Sequence, residues 1–307
     1  MKELTIATRG SRLALWQAHH IGKSLKGCSY KILEVSTQGD RVQDRYLHEI
    51  GGKGLFVKEV EKALLDGRAD IAVHSLKDMP VQMDPSFCLA AIPKRHARGD
   101  LIVFNSKIKD KSWSSLSSLK IGTSSLRRHH LLKANFGCRD VVMLRGNIDT
   151  RLRKLNDGEY DAIVLAEAAT ERLQLDLPHS LVFESNLMIP SACQGALAVQ
   201  SKLDYANLGD IQKLDDPVSH EEINIERALL KRLGGDCTMP CGISVQTFEH
   251  NFKISAVVID GEGLKSQIHF EHPCDDPEGA VSEALNHLEK QGLAAVMKSL
   301  GLSYDAS

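Results

Sequence analysis

The sequence predicts a multidomain α/β protein, and three observations carry that reading. Short apolar runs of strand type alternate with segments whose apolar residues recur at helical spacing, as in repeated βαβ units on a parallel sheet. One such run, Ile71 to Val73, stops abruptly in His74, Ser75, Lys77 and Asp78 ahead of Pro80. That collects polar groups past the carboxyl end of a strand, where open α/β sheets hold their ligands. The 307 residues exceed what one hydrophobic core ordinarily organises, so two or three domains are expected.

Taken in order, Leu4 to Thr8 reads as a strand and Leu13 to Lys26 as a helix with Leu13, Trp16, His20 and Ile21 on its apolar stripe; Gly27 suits its end. Tyr30 to Val35 is a second strand. Gly51-Gly52-Lys53-Gly54 opens a helix with Phe56, Val57, Val60 and Leu64 on one face, and the strand Ala69 to Val73 follows. A second unit starts near Asp100 with the strand Leu101 to Phe104 and a serine-rich loop over Ser112 to Ser118. Leu119 to Gly122 leads into a helix start at Thr123-Ser124-Ser125. Val141 to Leu144 is a strand, Asp149 is expected to cap the next helix, and Asp161 to Leu165 precedes a helix carrying Arg172. Ile189-Pro190 interrupts the pattern. In the last third, Ser219-His220-Glu221-Glu222 has capping-box spacing for a helix reaching Leu233. Strands at Ile243–Phe248, Lys253–Ile259 and Leu264–Phe270 follow, the last two joined by a turn at Asp260-Gly261-Glu262-Gly263; a helix over Pro277 to Lys290 and a short one after Gly292 complete a small α+β domain.

Composition narrows the function class. A net charge of -2 leaves no global basic field for nucleic acid. No apolar run is long enough to span a membrane, and MKELTIATRGS lacks the apolar core of a signal peptide. Seven cysteines, an odd number scattered through a long chain, fit reduced thiols rather than a disulfide framework. A cytoplasmic protein is expected.

Three constellations can carry chemistry. Arg9, Arg127, Arg128, Arg145 and Arg151 stand at loop-to-helix junctions beside Gly, Ser or Thr. Arginine forks a carboxylate or phosphate through two hydrogen bonds, so together they suggest a cleft for a polyanion. The nucleotide motifs fail: GxxxxGK[ST] would need glycine at Leu47 and Ser or Thr at Gly54, and GxGxxG would need glycine at Val57. Cys237-x3-Cys241, with His269, His272 and Cys274 beyond it, admits a zinc site, two buried thiols, or a nucleophile or attachment point on a loop. Asp78 is placed to steady a cation or accept N–H bonds, or else to cap the next turn.

The segments ATRGSRLALWQA, GGKGLFVKEVEKALLDGRADIAVHSLKDMP, IGTSSLRR, LRGNIDTRL, YDAIVLA, QGALAVQ and LGGDCTMPCGI resemble the porphobilinogen deaminase (hydroxymethylbilane synthase) family, in its order, from residue 7 to about 243. The resemblance implies two periplasmic-binding-protein-like (type II) α/β domains around a cleft, plus a small C-terminal α+β domain. The implied division is 1–95 for the first part of domain 1, 96–192 for domain 2, 193–214 for the return, and 215–307 for the domain carrying the cofactor loop. It implies stepwise head-to-tail joining of four porphobilinogen molecules with loss of ammonia, on a dipyrromethane cofactor held by a thioether, then hydrolytic release of a linear tetrapyrrole. By position in C-x-x-P the attachment cysteine is Cys237, and Asp78 matches the aspartate that contacts pyrrole N–H groups and steadies the azafulvene left by deamination. Arg9, Ser11, Lys53, Lys77, Ser125, Arg127, Arg128, Arg145, Arg151 and Arg172 match positions that bind acetate and propionate groups. No metal, nucleic acid or membrane is implied, and a monomer is expected. The competing class is a non-enzymatic polycarboxylate-binding module. Asp236, Ala169 and Cys193 stand where the family usually or often has glycine, and Arg98-Gly99-Asp100 departs from its usual crossing sequence.

Overall fold

A computed structural model describes residues 3–37, 57–235 and 239–305. The first lobe runs β1 (Leu4–Arg9), α1 (Arg12–Ser24), β2 (Tyr30–Val35), α2 (Lys58–Leu65), β3 (Ile71–Ser75) and β4 (Phe87–Ala91). The second runs β5 (Asp100–Phe104), β6 (Lys120–Gly122), α3 (Leu126–Phe136), β7 (Asp140–Val142), α4 (Ile148–Asn156), β8 (Ala162–Ala166), α5 (Glu167–Arg172) and β9 (Ser180–Val182). The chain returns through β10 (Leu197–Lys202) and α6 (Leu208–Gln212). It then builds α7 (Pro217–Arg232), β11 (Cys241–Phe248), β12 (Asn251–Ile259), β13 (Lys265–Pro273), α8 (Pro277–Lys290) and α9 (Leu293–Ser299).

Both lobe sheets follow one plan. The first is ordered β2-β1-β3-β10-β4 and the second β7-β6-β8-β5-β9. In each, three strands are parallel, as βαβ alternation dictates, and the fourth lies antiparallel to the third. That fourth strand is the first one after a crossing between lobes, β5 on the way out and β10 on the way back. The two lobes are thus type II periplasmic-binding-protein-like α/β units, and β11-β12-β13 form the small C-terminal antiparallel sheet.

The cores explain how these parts are held. Ala7, Val60, Ala63, Leu64 and Ala72 pack one face of the first sheet, and Ile6, Ala18, Ile21, Val73 and Val199 the other. The C-terminal core does not stop at its own elements: Leu76, Met79, Ile92, Ala192, Cys193 and Ala196 from the first lobe and the return crossing join Ile223, Leu229, Ile243 and Phe252 in one apolar cluster. The small domain is therefore fastened to the crossing region by hydrophobic burial, the largest non-directional contribution available.

Local departures from the sequence reading have physical causes. Leu13 and Trp16 pack on the second lobe's cluster, while Ala14, Gln17, Ala18 and Ile21 face the first sheet. On the first-sheet side Ile21 is the one large aliphatic, set among Ala14, Ala18 and Gly22, whereas Leu13 and Trp16 turn to the second lobe. Asn147, not Asp149, caps α4 by accepting from the Thr150 N–H. Asp216, followed by Pro217, caps α7 one turn before the expected capping box. Ser219 Oγ accepts instead from Arg95 N–H at 2.9 Å. The serine-rich Ser112–Ser118 stretch is not an open loop: Trp113–Ser118 coil into a 3₁₀ helix whose Leu116 is buried. His74 lies inside β3, buried and bonded through Nε2 to Gln200 Oε1 at 3.0 Å, so it supports the sheet rather than the cleft.

The return crossing is backbone-critical. Cys193 has φ +63 and Gly195 φ +86. A Cβ on Gly195 would lie 2.6 Å from Ala97 O and 2.7 Å from His96 O. Gly195→Ala should therefore cost about 3 kcal/mol or more, left-handed strain adding to a backbone clash. Cys193→Gly should stay within about 1 kcal/mol of the parent, because relieved left-handed strain offsets the lost thiol packing and added chain entropy. Paired thermal unfolding scans check both; equal losses would overturn this account of the crossing.

Candidate active site

The cleft floor forms where β3 ends. After Ser75 the chain turns through a single 3₁₀ helix, Leu76–Asp78. Leu76 is fully buried and Met79 nearly so, both in the C-terminal core, and Leu76 N–H donates to Ala196 O at 3.1 Å. On the far side, Arg227 Nη2 of α7 donates to Pro80 O at 3.0 Å and Val81 O at 2.8 Å. Lys77 and Asp78 are thereby fixed at their backbone on both sides. Their side chains remain partly exposed. Among the described residues no hydrogen bond or ion pair engages the Asp78 carboxylate.

Cations from both lobes surround it. Arg9 ends β1, and Ser11 caps α1, accepting from Ala14 N–H at 3.3 Å. Ser125 caps α3, accepting from Arg128 N–H at 3.4 Å. Helix N-termini thus face the cleft with their positive ends, a setting suited to anions. Asp78 and Asp100 raise the Lys77 pKa while Arg127 and Arg128 lower it, and burial, the largest influence, brings it down to about 8. Arg151 feels Arg128 and Arg145 as like charges and Asp78 as the opposing one, and with burial dominant it falls to about 10. These couplings draw Lys77, Asp78, Arg127, Arg128, Arg145 and Arg151 into one electrostatic unit. Arg9 acts on the buried His74, which burial pushes down to about 4. Arg172 lies farther along, its Nη2 donating to Gly195 O at 2.6 Å and burial holding it at about 10. Lys53 and Cys237 fall outside the described residues. Cys241 is buried in β11, paired with Val258.

Sequence reasoning missed the counter-charge. Asp100, fully buried at the start of β5, accepts from Arg127 Nη2 at 2.7 Å and from Arg128 Nη2 at 2.6 Å and Nε at 3.1 Å. The two guanidinia hold its carboxyl well below the usual carboxylate range against the opposing effect of burial. Arg127 also donates to Ile189 O and Arg128 to Val164 O, so the two arginines expected to meet ligand directly are braced first by the protein. An acid heading an otherwise apolar strand, Asp100-Leu-Ile-Val-Phe, is the signal that would have exposed it. Gln194, Arg95, Glu222 and Glu226 were missed as well. Glu226, with no exposed surface, accepts from Arg95 Nη1 at 2.7 Å and Nη2 at 3.1 Å, from Cys193 N–H at 2.6 Å and from Val245 N–H at 2.8 Å. Glu222 takes Arg98 Nη2 at 3.0 Å and Thr247 N–H at 2.7 Å.

The cleft can do two things. Among the described residues, Lys77, Arg127, Arg128 and Arg151 outnumber the carboxylates Asp78 and Asp100 that act on them, which suits an acidic ligand. The Nε atoms of Arg127 and Arg172 are buried without a hydrogen-bond partner among the described residues, and such donors cost free energy until an acceptor arrives. Asp78 supplies the opposite function, one uncommitted carboxylate in a cationic field. A dipyrromethane bearing two carboxylates per ring fits this donor set.

Comparison with known proteins agrees. Residues 4–209 match the family model described as Porphobilinogen deaminase, dipyromethane cofactor binding domain, and residues 220–290 match Porphobilinogen deaminase, C-terminal domain. A porphobilinogen deaminase of Nitratidesulfovibrio vulgaris is 44% identical over 276 residues, covering 86% of this chain and 85% of that one. Another, from the Miyazaki F strain, is 41% identical over 291 residues, 93% and 91% of the two chains. That of Chromobacterium violaceum is 42% identical over 275 residues, 86% of each. No helix among the described residues is long and apolar enough to cross a membrane. With both lobes and the C-terminal domain matched at this identity, the chain belongs to the porphobilinogen deaminase family.

Proposed function

We propose that this chain joins four porphobilinogen molecules head to tail, releasing ammonia at each step, and then frees the linear tetrapyrrole hydroxymethylbilane by hydrolysis. The observation that carries the reading is the single uncommitted carboxylate of Asp78 standing among cations from both lobes. The dipyrromethane cofactor, when bound, supplies the primer on which the chain grows.

The protein's own residues have separable parts in this. Arg9, Lys53, Lys77, Arg127, Arg128, Arg145, Arg151 and Arg172, with Ser11 and Ser125, bind and orient the acetate and propionate groups. Charge-assisted, forked hydrogen bonds make arginine the suitable residue for this task. The Asp78 carboxylate accepts pyrrole N–H bonds and stabilises the positive charge that develops on the substrate as ammonia leaves. A fixed carboxylate aimed at developing charge is an effective catalytic device because it needs no reorganisation at the moment of reaction. Asp100 keeps Arg127 and Arg128 extended toward the cleft before ligand arrives. We assign residues 1–95 and 193–214 to one domain, 96–192 to the second and 215–307 to the third. The chain acts as a cytoplasmic monomeric transferase. The competing non-enzymatic carrier is not favoured by the family match.

Cys237 is the attachment residue in this reading, and the burial of Cys241 within β11 supports choosing between the two thiols that way. The intact mass of denatured protein tests it. The parent and Cys241→Ser should carry an added mass of one two-pyrrole unit, and Cys237→Ser should lack it. An unmodified parent that stays unmodified after incubation with porphobilinogen would overturn the assignment.

A further inference from the structure

The side chain of Gln194 sits on the return crossing with 1% of its surface exposed and reaches both the outgoing crossing and two cations of the cleft. Its Nε2 lies 2.9 Å from Arg98 O, 2.9 Å from Gly99 O and 2.8 Å from Asp100 Oδ1, so its two protons are shared among three acceptors. Three oxygens around one amide nitrogen fix which end of the amide is which, since the carbonyl end would be repelled there. The Oε1 atom must therefore face the other way, where Ser191 Oγ stands at 3.3 Å, Lys77 Nζ at 3.4 Å and Arg128 Nη2 at 3.5 Å. Lys77 belongs to the first lobe and Arg128 to the second. One neutral oxygen thus meets a cation from each lobe, while the nitrogen of the same amide is anchored to the outgoing crossing.

We propose that Gln194 is a positioning residue for the reaction: its carbonyl oxygen holds Lys77 and Arg128 in register across the cleft and ties that register to the hinge. The inference rests on the reading of Lys77 and Arg128 as carboxylate binders. The contacts at 3.4 and 3.5 Å are at the long end of hydrogen-bond geometry, as expected of a site that tightens when substrate is bound. Gln194 does not meet the reacting atoms. It sets where the ammonium beside Asp78 points.

The variants Q194M and Q194E, prepared as holoenzymes of the parent's intact mass, separate this role from a merely structural one. Competitive acetylation, mapped to Lys77 by peptide mass spectrometry across neutral to alkaline pH, reads the ammonium directly. The other protein groups acting on Lys77 are Asp78, Asp100, Arg127 and Arg128; none is substituted, the cofactor is the same in each holoenzyme, and the lost Nε2 bond to Asp100 leaves that carboxylate paired with both arginines. Q194M removes the acceptor, so the Lys77 midpoint should move to lower pH than in the parent, and kcat/KM for porphobilinogen should fall about tenfold. Q194E keeps an oxygen toward Lys77, so the midpoint should stay at or above the parent's, while its second oxygen meets Arg98 O, Gly99 O and Asp100 Oδ1 and no longer anchors the outgoing crossing. A structural role would lower activity at every pH and leave the midpoint alone. A Q194M midpoint and kcat/KM within about twofold of the parent would overturn the proposal. If Q194M fails to fold, a Q194E midpoint below the parent's does the same. The labelling reads Gln194 even if porphobilinogen is not consumed, so a failure of the functional reading is distinguishable.

Discussion

Asp78→Asn should fold as the parent does, keep its cationic cleft, and turn porphobilinogen over roughly 10²- to 10³-fold more slowly. The magnitude is that of removing one preorganised electrostatic group from a site where charge develops. Folding is spared because the side chain makes no hydrogen bond or ion pair with the described residues, whereas Leu76 and Met79, buried in the C-terminal core, secure the turn without it. Asn keeps the shape and an acceptor oxygen but not the charge, and Asp78→Ala, which loses both, should be slower still. Initial rates, with intact mass and a thermal scan on the same samples, check this. Turnover within about threefold of the parent would remove Asp78 from its role.

Glu226→Leu should give the largest loss of stability, about 3–5 kcal/mol. Its carboxylate has no exposed surface and receives Arg95 from the outgoing crossing, Cys193 N–H from the return, and Val245 N–H from the C-terminal sheet. Removing it leaves the Arg95 guanidinium, 2% exposed at its side chain, with Glu222 at 3.7 Å as its remaining ion-pair partner. It also strands two buried backbone donors. Breaking one side of a buried pair costs far more than the pair contributes, because an uncompensated charge stays behind. The unfolding temperature should fall by about 10 °C, and Arg95→Met on the Glu226→Leu background should recover a substantial part. A single variant within about 1 kcal/mol of the parent would refute this account of the hinge.

The two predictions divide the molecule. The Asp78 prediction falls where the sequence points, at the polar end of an apolar strand. The Glu226 prediction falls where the sequence misleads, because the spacing of Ser219 and Glu222 reads as a capping box, whereas Asp216 is the cap. In the folded chain Ser219 accepts from Arg95 N–H, and Glu222 pairs with Arg98 and Thr247 N–H. The spacing rule concerns one turn of helix. It is blind to an arginine more than a hundred residues earlier that competes for the same carboxylate.

By itself the sequence determined the α/β class, the strand-end position of Lys77 and Asp78, the helix start at Thr123-Ser124-Ser125, and the motifs by which the family is known. These are local properties: apolar periodicity, breakers, caps and short ordered motifs are written within a few residues of where they act. Only the tertiary structure decided that β10 inserts antiparallel beside β3. It alone decided that Leu13 and Trp16 serve the opposite lobe, that Asp100 braces Arg127 and Arg128, and that Gln194 and Glu226 gather both crossings. Each of those depends on which distant groups come to share a buried, water-poor space. There an unpaired charge or amide is too costly to leave, so partners are fixed by the closing of the whole fold rather than by neighbours in the chain.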